Sequence, residues 1–214
     1  MNGADPGAEA AFDVAVIGGG LAGGAAAWLL RQEFPDLKIL VVERAARHGR
    51  RVGEATVEVS ACFLMRALGL TEHLLHHHLA KQGLRFWFGQ GRAGSLADAS
   101  ELGGRYLARV PSFQVDRAVL DEEVLRRAGE AGAVVWRPAV VRRVDLQPGG
   151  EQLVTVEPGG ETRRVRARWV VDASGFATLL ARQEGWREGN TAHPTTAAWA
   201  RSARTSHARS GTSC

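Results

Sequence analysis

A glycine-rich turn set between a buried strand and a helix constrains this chain more than any other feature. Phe12 to Ile17 (FDVAVI) is a short apolar run with β-branched residues, as a parallel strand buried on both faces reads. Gly18-Gly19-Gly20-Leu21-Ala22-Gly23 follows in the pattern G-x-G-x-x-G, and the Ala/Leu-rich segment to Glu33 predicts a helix that Pro35 and Asp36 end. Lys38 to Val42 is a second buried strand and finishes at Glu43. A strand–turn–helix–strand of about 30 residues is the size of a βαβ unit. Gly18 permits the tight turn, Gly20 admits a pyrophosphate close to the backbone, and Gly23 lets the helix pack onto the strand. The helix N-terminus then offers N–H groups and a positive dipole to the phosphates. Glu43 stands where a carboxylate accepts hydrogen bonds from a ribose 2′-OH, and it would repel a 2′-phosphate. The expected ligand is therefore FAD or NAD rather than NADP.

The rest of the chain separates those two. Arg44 to Arg51 reads as a basic loop, Val57 to Leu68 and Thr71 to Leu79 as helices, and Leu84 to Phe88 as a strand. Gly89 to Gly104 reads as a loop. Asp116 to Ala131 is a strong amphipathic helix, with Val119, Leu120, Val124, Leu125 and Ala128 at helical spacing and Gly132 as its stop. Val134 to Trp136 is a short strand. Val140 to Leu146, Leu153 to Val156 and Arg163 to Ala167 are strands separated by Pro-Gly-Gly turns, an antiparallel meander. Trp169 to Val171 is a further strand running into Asp172-Ala173-Ser174-Gly175. The fold class is α/β: a Rossmann-like βαβ domain with an inserted antiparallel meander. A plain NAD domain would continue βαβ instead. This arrangement resembles the glutathione-reductase-like FAD fold, which implies FAD, Val141 near the adenine, and Asp172, Ala173 and Gly175 close to the dinucleotide.

Several segments together resemble the flavin-dependent halogenases, the tryptophan-halogenase-like branch of FAD oxidoreductases. They are VIGGGLAGG (16–24), VGEATVE (52–58), KQGLRF (81–86), PSFQVDR (111–117) and VVDASG (170–175), with TAAWAR (196–201) a weaker match. The resemblance implies that Gly18, Gly19, Gly20, Leu21, Ala22 and Gly23 hold the pyrophosphate. It places Glu43 and the adjacent Arg44 at the ribose, and Gly53, Glu54, Ala55 and Thr56 against the flavin. Lys81 matches the lysine of the halogenating site. In that family reduced flavin and oxygen oxidise halide to hypohalous acid, which a lysine directs to an electron-rich carbon. The apolar run Leu84–Phe88 beside Lys81 would desolvate it; otherwise Lys81 is a solvated lysine between a helix and a strand. Glu54 is either an acid/base group or a loop carboxylate satisfied by N–H groups. Arg117 either reaches cofactor or substrate, or pairs with Asp121 four residues on. A flavin monooxygenase or a double-bond reductase would share the glycine motif and DASG.

Composition narrows the partners. The net charge of +4 sits largely in Arg201, Arg204 and Arg209 near the end, and no basic run is interleaved with aromatics, so a nucleic-acid partner is not expected. No stretch approaches the ~20 apolar residues of a membrane span. The start of the chain does not read as a signal peptide. Cys62 and Cys214 are too few for a disulfide framework, which suits the cytoplasm. His76-His77-His78 is consecutive on a helix and its rings should diverge, so no metal is expected there. The expected partners are a small-molecule substrate and a separate flavin reductase supplying FADH2. The family's later Gly-Asp and W-x-W-x-I-P segments are absent, so the C-terminal half is expected to be missing. That reading divides the chain into a disordered start (1–11), an incomplete FAD domain (12–201) and a disordered tail (202–214), and leaves open a non-catalytic fragment.

Overall fold

The computed structural model describes residues 10–89, 95–103 and 110–190. The expected tail and the Thr196–Arg201 match lie outside them, as does the start of the chain except Ala10 and Ala11, which open the first strand. In chain order the elements begin β1 (Ala10–Ile17), α1 (Leu21–Glu33) and β2 (Ile39–Val42), then α2 (Glu58–Cys62), which runs on as a π-helical turn over Phe63–Ala67. Next come α3 (Thr71–His77), β3 (Leu79–Lys81), β4 (Arg85–Phe88), β5 (Ser100–Gly103) and β6 (Ser112–Gln114). The last group is α4 (Arg117–Glu130), β7 (Val134–Trp136), β8 (Ala139–Asp145), β9 (Gln152–Pro158), β10 (Arg163–Asp172) and α5 (Leu179–Gln183).

A six-stranded sheet in the order β7-β2-β1-β10-β9-β8 organises the chain. Its first four strands are parallel, and β8, β9 and the start of β10 form the antiparallel meander. Alternation along the strands sorts side chains between two cores. Val14, Val16, Ile39 and Val41 face α1 and α4, together with Leu64, Leu74 and Phe113. Ala15, Ile17, Leu40 and Val42 face the meander's Val141, Val144, Val154, Val156 and Val165. Helix α1 carries small residues because α4 lies close: a Cβ on Gly24 would stand 3.0 Å from the Val124 side chain. Asp116 caps α4 by accepting from the Ala118 N–H at 2.9 Å.

The structure departs from the sequence reading at several places. Arg163–Ala167 and Trp169–Val171 are one strand, because nothing at Arg168 turns the chain: its first half pairs with β9 and most of its length runs parallel to β1. Ser100–Gly103, read as loop, pairs with β4. The helix expected to reach Leu79 ends at His77, and Leu79–Lys81 becomes a strand against Ser112–Gln114, which carried no strand pattern. The run beside Lys81 is also exposed rather than desolvating, with Leu84, Phe86, Trp87 and Phe88 between 43% and 60% accessible.

With the helix ending at His77, His78 is extended and folds back. The His77 and His78 rings both approach His73, at 4.8 and 5.1 Å between centroids, so they do not diverge as expected. Desolvation holds His73 down at about 4 from the usual 6.5, and His78 is lowered for the same reason; Glu123 opposes the shift at His73. Both are therefore neutral in the fold at pH 7 and take up protons on unfolding. Their contribution to stability is present above pH 6.5 and declines as the pH falls from there toward about 4. Urea midpoints measured at pH 7 and pH 5 should show a drop that is smaller in His73→Leu.

Candidate functional site

An open cleft of about 1860 Å³ lies at the carboxyl ends of the parallel strands, where open α/β sheets bind ligands. The glycine turn forms its floor. Gly18 has φ +99°, its N–H donates to the Val42 carbonyl at 2.8 Å, and a Cβ there would stand 2.5 Å from the Ala173 carbonyl oxygen. A Cβ on Gly23 would stand 1.8 Å from the Gly18 carbonyl oxygen, so glycine is required for α1 to leave the turn at this angle. Gly20 is the N-cap of α1, without any side-chain cap, and with Leu21 and Ala22 it faces the cleft. The helix start is thus directed at the open space.

Glu43 borders the same cleft and is 6% exposed. Its Oε2 accepts from the Gly19 N–H at 2.7 Å and its Oε1 from the Ala45 N–H at 2.8 Å. These bonds tie the carboxylate to the glycine turn and leave each oxygen a further lone pair for a hydroxyl. Arg44 and Val141 lie on the wall on this side. Opposite, Ala173 and Gly175 line the cleft, while Asp172 is not among the lining residues and organises the loop. The Asp172 carboxylate accepts from the Ser174 N–H at 3.0 Å and the Leu180 N–H at 2.8 Å.

The segment 53–56 is held along β6. Val115 N–H donates to the Glu54 carbonyl at 2.7 Å, and Ala55 bridges to Gln114. The Thr56 hydroxyl donates to the Phe113 carbonyl at 2.8 Å and accepts from the Phe113 N–H at 2.7 Å. Glu54 borders the cleft. Strand β6 pairs in turn with β3, where Lys81 stands opposite Ser112. Segments 53–56, 79–81 and 112–114 therefore lie side by side. Leu79, on the same face of β3 as Lys81 by the strand's alternation, reaches the cleft wall; Lys81 itself is not among the wall residues.

Arg117 takes the intrahelical alternative. Its Nε donates to Asp121 Oδ1 at 2.7 Å and its Nη2 to Oδ2 at 3.0 Å, while Nη1 lies 2.9 Å from where a Gly53 Cβ would stand. It still borders the cleft. The sequence reading placed neither Arg51 nor Asp121 in the site: Arg51 borders the cleft, whereas Asp121, named only as a helix partner of Arg117, does not line it. Asp121 is fully buried, and Arg51 brings its Nε within 3.8 Å of Asp121 Oδ2. The oxygen of Asp121 and the Nη1 of Arg51 flank Gly20, at 3.3 and 3.5 Å from a Cβ built there. An acid on the apolar stripe of α4 was the signal available for Asp121, because a buried carboxylate requires a cationic or N–H partner. Among the described residues no three metal-ligating side chains converge, and no helix is long and apolar enough to cross a membrane.

A parallel sheet, an uncapped helix start behind G-x-G-x-x-G and a buried carboxylate one strand over define a dinucleotide-binding domain. The chain belongs to the FAD binding domain family, which matches residues 11–206. Its cofactor is FAD. The chain is 29% identical over 189 residues to the flavin-dependent halogenase chlA of Dictyostelium discoideum, covering 77% of this chain and 31% of that one. It is 32% identical over 176 residues to digeranylgeranylglycerophospholipid reductase 2 of Methanopyrus kandleri, covering 81% and 40%. Among solved structures it resembles the myxobacterial chondrochloren halogenase CndH, with a TM-score of 0.68 and 26% identity over 79% of this chain and 38% of that one. The chain thus spans well under half the length of these relatives.

Proposed function

We propose that this chain forms the cofactor-holding part of an FAD-dependent, halogenase-like oxidoreductase that halogenates an electron-rich small molecule. The assembly of segments 53–56, 79–81 and 112–114 into one ribbon carries the reading. These segments are scattered in sequence and meet beside the cleft; 53–56 and 112–114 lie inside segments that resemble flavin-dependent halogenases, and 79–81 ends on Lys81, where the KQGLRF resemblance starts. The glycine turn and the start of α1 hold the diphosphate, with Arg51 and Arg117 supplying positive charge. Glu43 holds the ribose, and Arg44 and Val141 border it. Ala173 and Gly175 bring backbone to the opposite wall, which Asp172 shapes. Gly53, Glu54, Ala55 and Thr56 present a loop to the isoalloxazine ring. Bound there, FAD supplies reversible two-electron chemistry and, when reduced, reaction with dioxygen. Lys81 is the group that holds the oxidised halogen and orients it toward substrate. A separate reductase delivers FADH2, and a reducing cytoplasm suits the chain.

The similarity to a lipid double-bond reductase favours one other reading, reduction of an alkene on the same scaffold. Both are tested on the purified chain. It should retain FAD through gel filtration, seen as the flavin absorbance band. Supplied with a flavin reductase, reduced nicotinamide, bromide and a panel of phenols, pyrroles and indoles, it should yield brominated product by mass spectrometry. Lys81→Ala should retain FAD and lose that product. Failure to take up FAD overturns the whole reading, and product that persists in Lys81→Ala removes the lysine from the reaction. Hydrogenated alkene without halide dependence would favour the reductase.

A further inference from the structure

Behind the glycine turn, the His48 side chain is fully buried and makes no contribution to the functions assigned above. Its Nδ1 lies 3.4 Å from the Arg51 Nη2. Arginine has only donors, so Nδ1 is the acceptor and the ring proton sits on Nε2. That nitrogen is buried without a hydrogen-bond partner and faces Glu122 Oε2 at 3.9 Å. Glu122 is itself fixed. It takes Arg137 through both carboxylate oxygens at 3.1 Å, and it accepts from the His48 backbone N–H at 3.4 Å. A chain of contacts thus runs from Arg137 through Glu122 and His48 to Arg51, whose other guanidinium nitrogen overhangs Gly20.

We propose that His48 is a positioning residue for the diphosphate of the cofactor: by accepting from Arg51 it holds that guanidinium over the glycine turn. The inference rests on the reading of the cleft as the FAD site. Arg51 is a long side chain, 44% exposed, and its contact with Asp121 at 3.8 Å is too long to fix its direction. The histidine supplies the second point of attachment. An arginine ordered before the ligand arrives loses less rotamer freedom on binding phosphate, and charge-assisted bonds to phosphate depend on that geometry. Because His48 never reaches the cleft, its effect passes through Arg51 alone.

The test compares ADP, which carries the diphosphate, with adenosine, which does not, on the purified chain. His48→Leu should weaken ADP and FAD by about tenfold, the size of one ordinary charge-assisted bond, and leave adenosine unchanged. Arg51→Ala should do the same or more, and adding His48→Leu to it should change nothing further. His48→Asn places an amide oxygen where Nδ1 stands and should restore affinity, whereas His48→Gln extends toward the Nε2 position and should not. This Asn/Gln contrast keeps the test decisive if the leucine variant fails to fold. Equal losses for ADP and adenosine, additive effects in the double variant, or ADP binding unchanged in Arg51→Ala would each overturn the proposal. A wild-type chain that binds neither ADP nor FAD would overturn the FAD-site reading with it.

Discussion

Gly20→Val is expected to weaken FAD binding about 100-fold while the chain stays folded, and Gly23→Ala is expected to do the reverse damage, unfolding the turn itself. The two glycines lie three residues apart, yet their surroundings differ. At Gly23 an added Cβ would lie 1.8 Å from the Gly18 carbonyl oxygen and 3.1 Å from the Ala173 Cβ. Neither neighbour can yield, because Gly18 is bonded to Val42 and Ala173 to Ile17. Even alanine should therefore cost about 3 kcal/mol or more, at the upper end of overpacking penalties. Gly20 has φ −68° and ψ −172°, which valine accepts without strain, and its nearest neighbours are side-chain atoms at 3.3 and 3.5 Å. Its isopropyl group would instead occupy the space where the diphosphate approaches the helix start. Losing two charge-assisted bonds there weakens FAD roughly 100-fold, whereas stability should fall by only about 1–2 kcal/mol, from the poorer N-cap and a small shift of Asp121. FAD titration followed by flavin fluorescence, paired with urea denaturation, separates the outcomes. A Gly20→Val chain that binds FAD as the wild type does would contradict the placement of the diphosphate.

The parts legible in the sequence were those whose determinants are neighbours in the chain. Phe12–Ile17, the glycine turn and Lys38–Val42 declare themselves by composition and spacing, and the structure places β1, α1 and β2 within two residues of the expected limits. The meander was marked by its two Pro-Gly-Gly turns. Elements set by partners far along the chain were not. Ser100–Gly103 has no strand pattern and is extended because Arg85–Phe88 supplies its ladder. Thr56 is fixed by Phe113, 57 residues on, through a hydroxyl that gives and takes a hydrogen bond. The site divides in the same way. Glu43 followed from its distance to the glycines. By contrast, Arg51 and Asp121 meet across Gly20 only once α4 packs on α1. The basic loop after Glu43 and the acid among Leu120, Val124 and Leu125 were each visible, but nothing local joined them.

That buried meeting point makes Asp121 the other position where a single change should have a large effect. Its carboxylate is wholly inaccessible and is held in the fork of Arg117, whose side chain is only 16% exposed. Asp121→Ala would strand a guanidinium in a mostly dry site. Breaking a buried pair by removing one partner costs about 3–5 kcal/mol, much more than the pair contributes over an apolar replacement. Asp121→Asn keeps the shape and one acceptor oxygen, so it should lose less. The ligand should act in the opposite direction. Asp121 places negative charge beside the turn, and without it Arg117 is free to turn toward phosphate. FAD should therefore stabilise Asp121→Asn by more than it stabilises the wild type, since a ligand that binds only the folded chain adds stability in proportion to its affinity. Thermal unfolding of both chains with and without FAD measures the two effects together. A wild-type melting temperature in ligand-free Asp121→Ala, or equal FAD-induced shifts in Asp121→Asn and wild type, would show that the carboxylate neither holds Arg117 nor competes with the diphosphate for it.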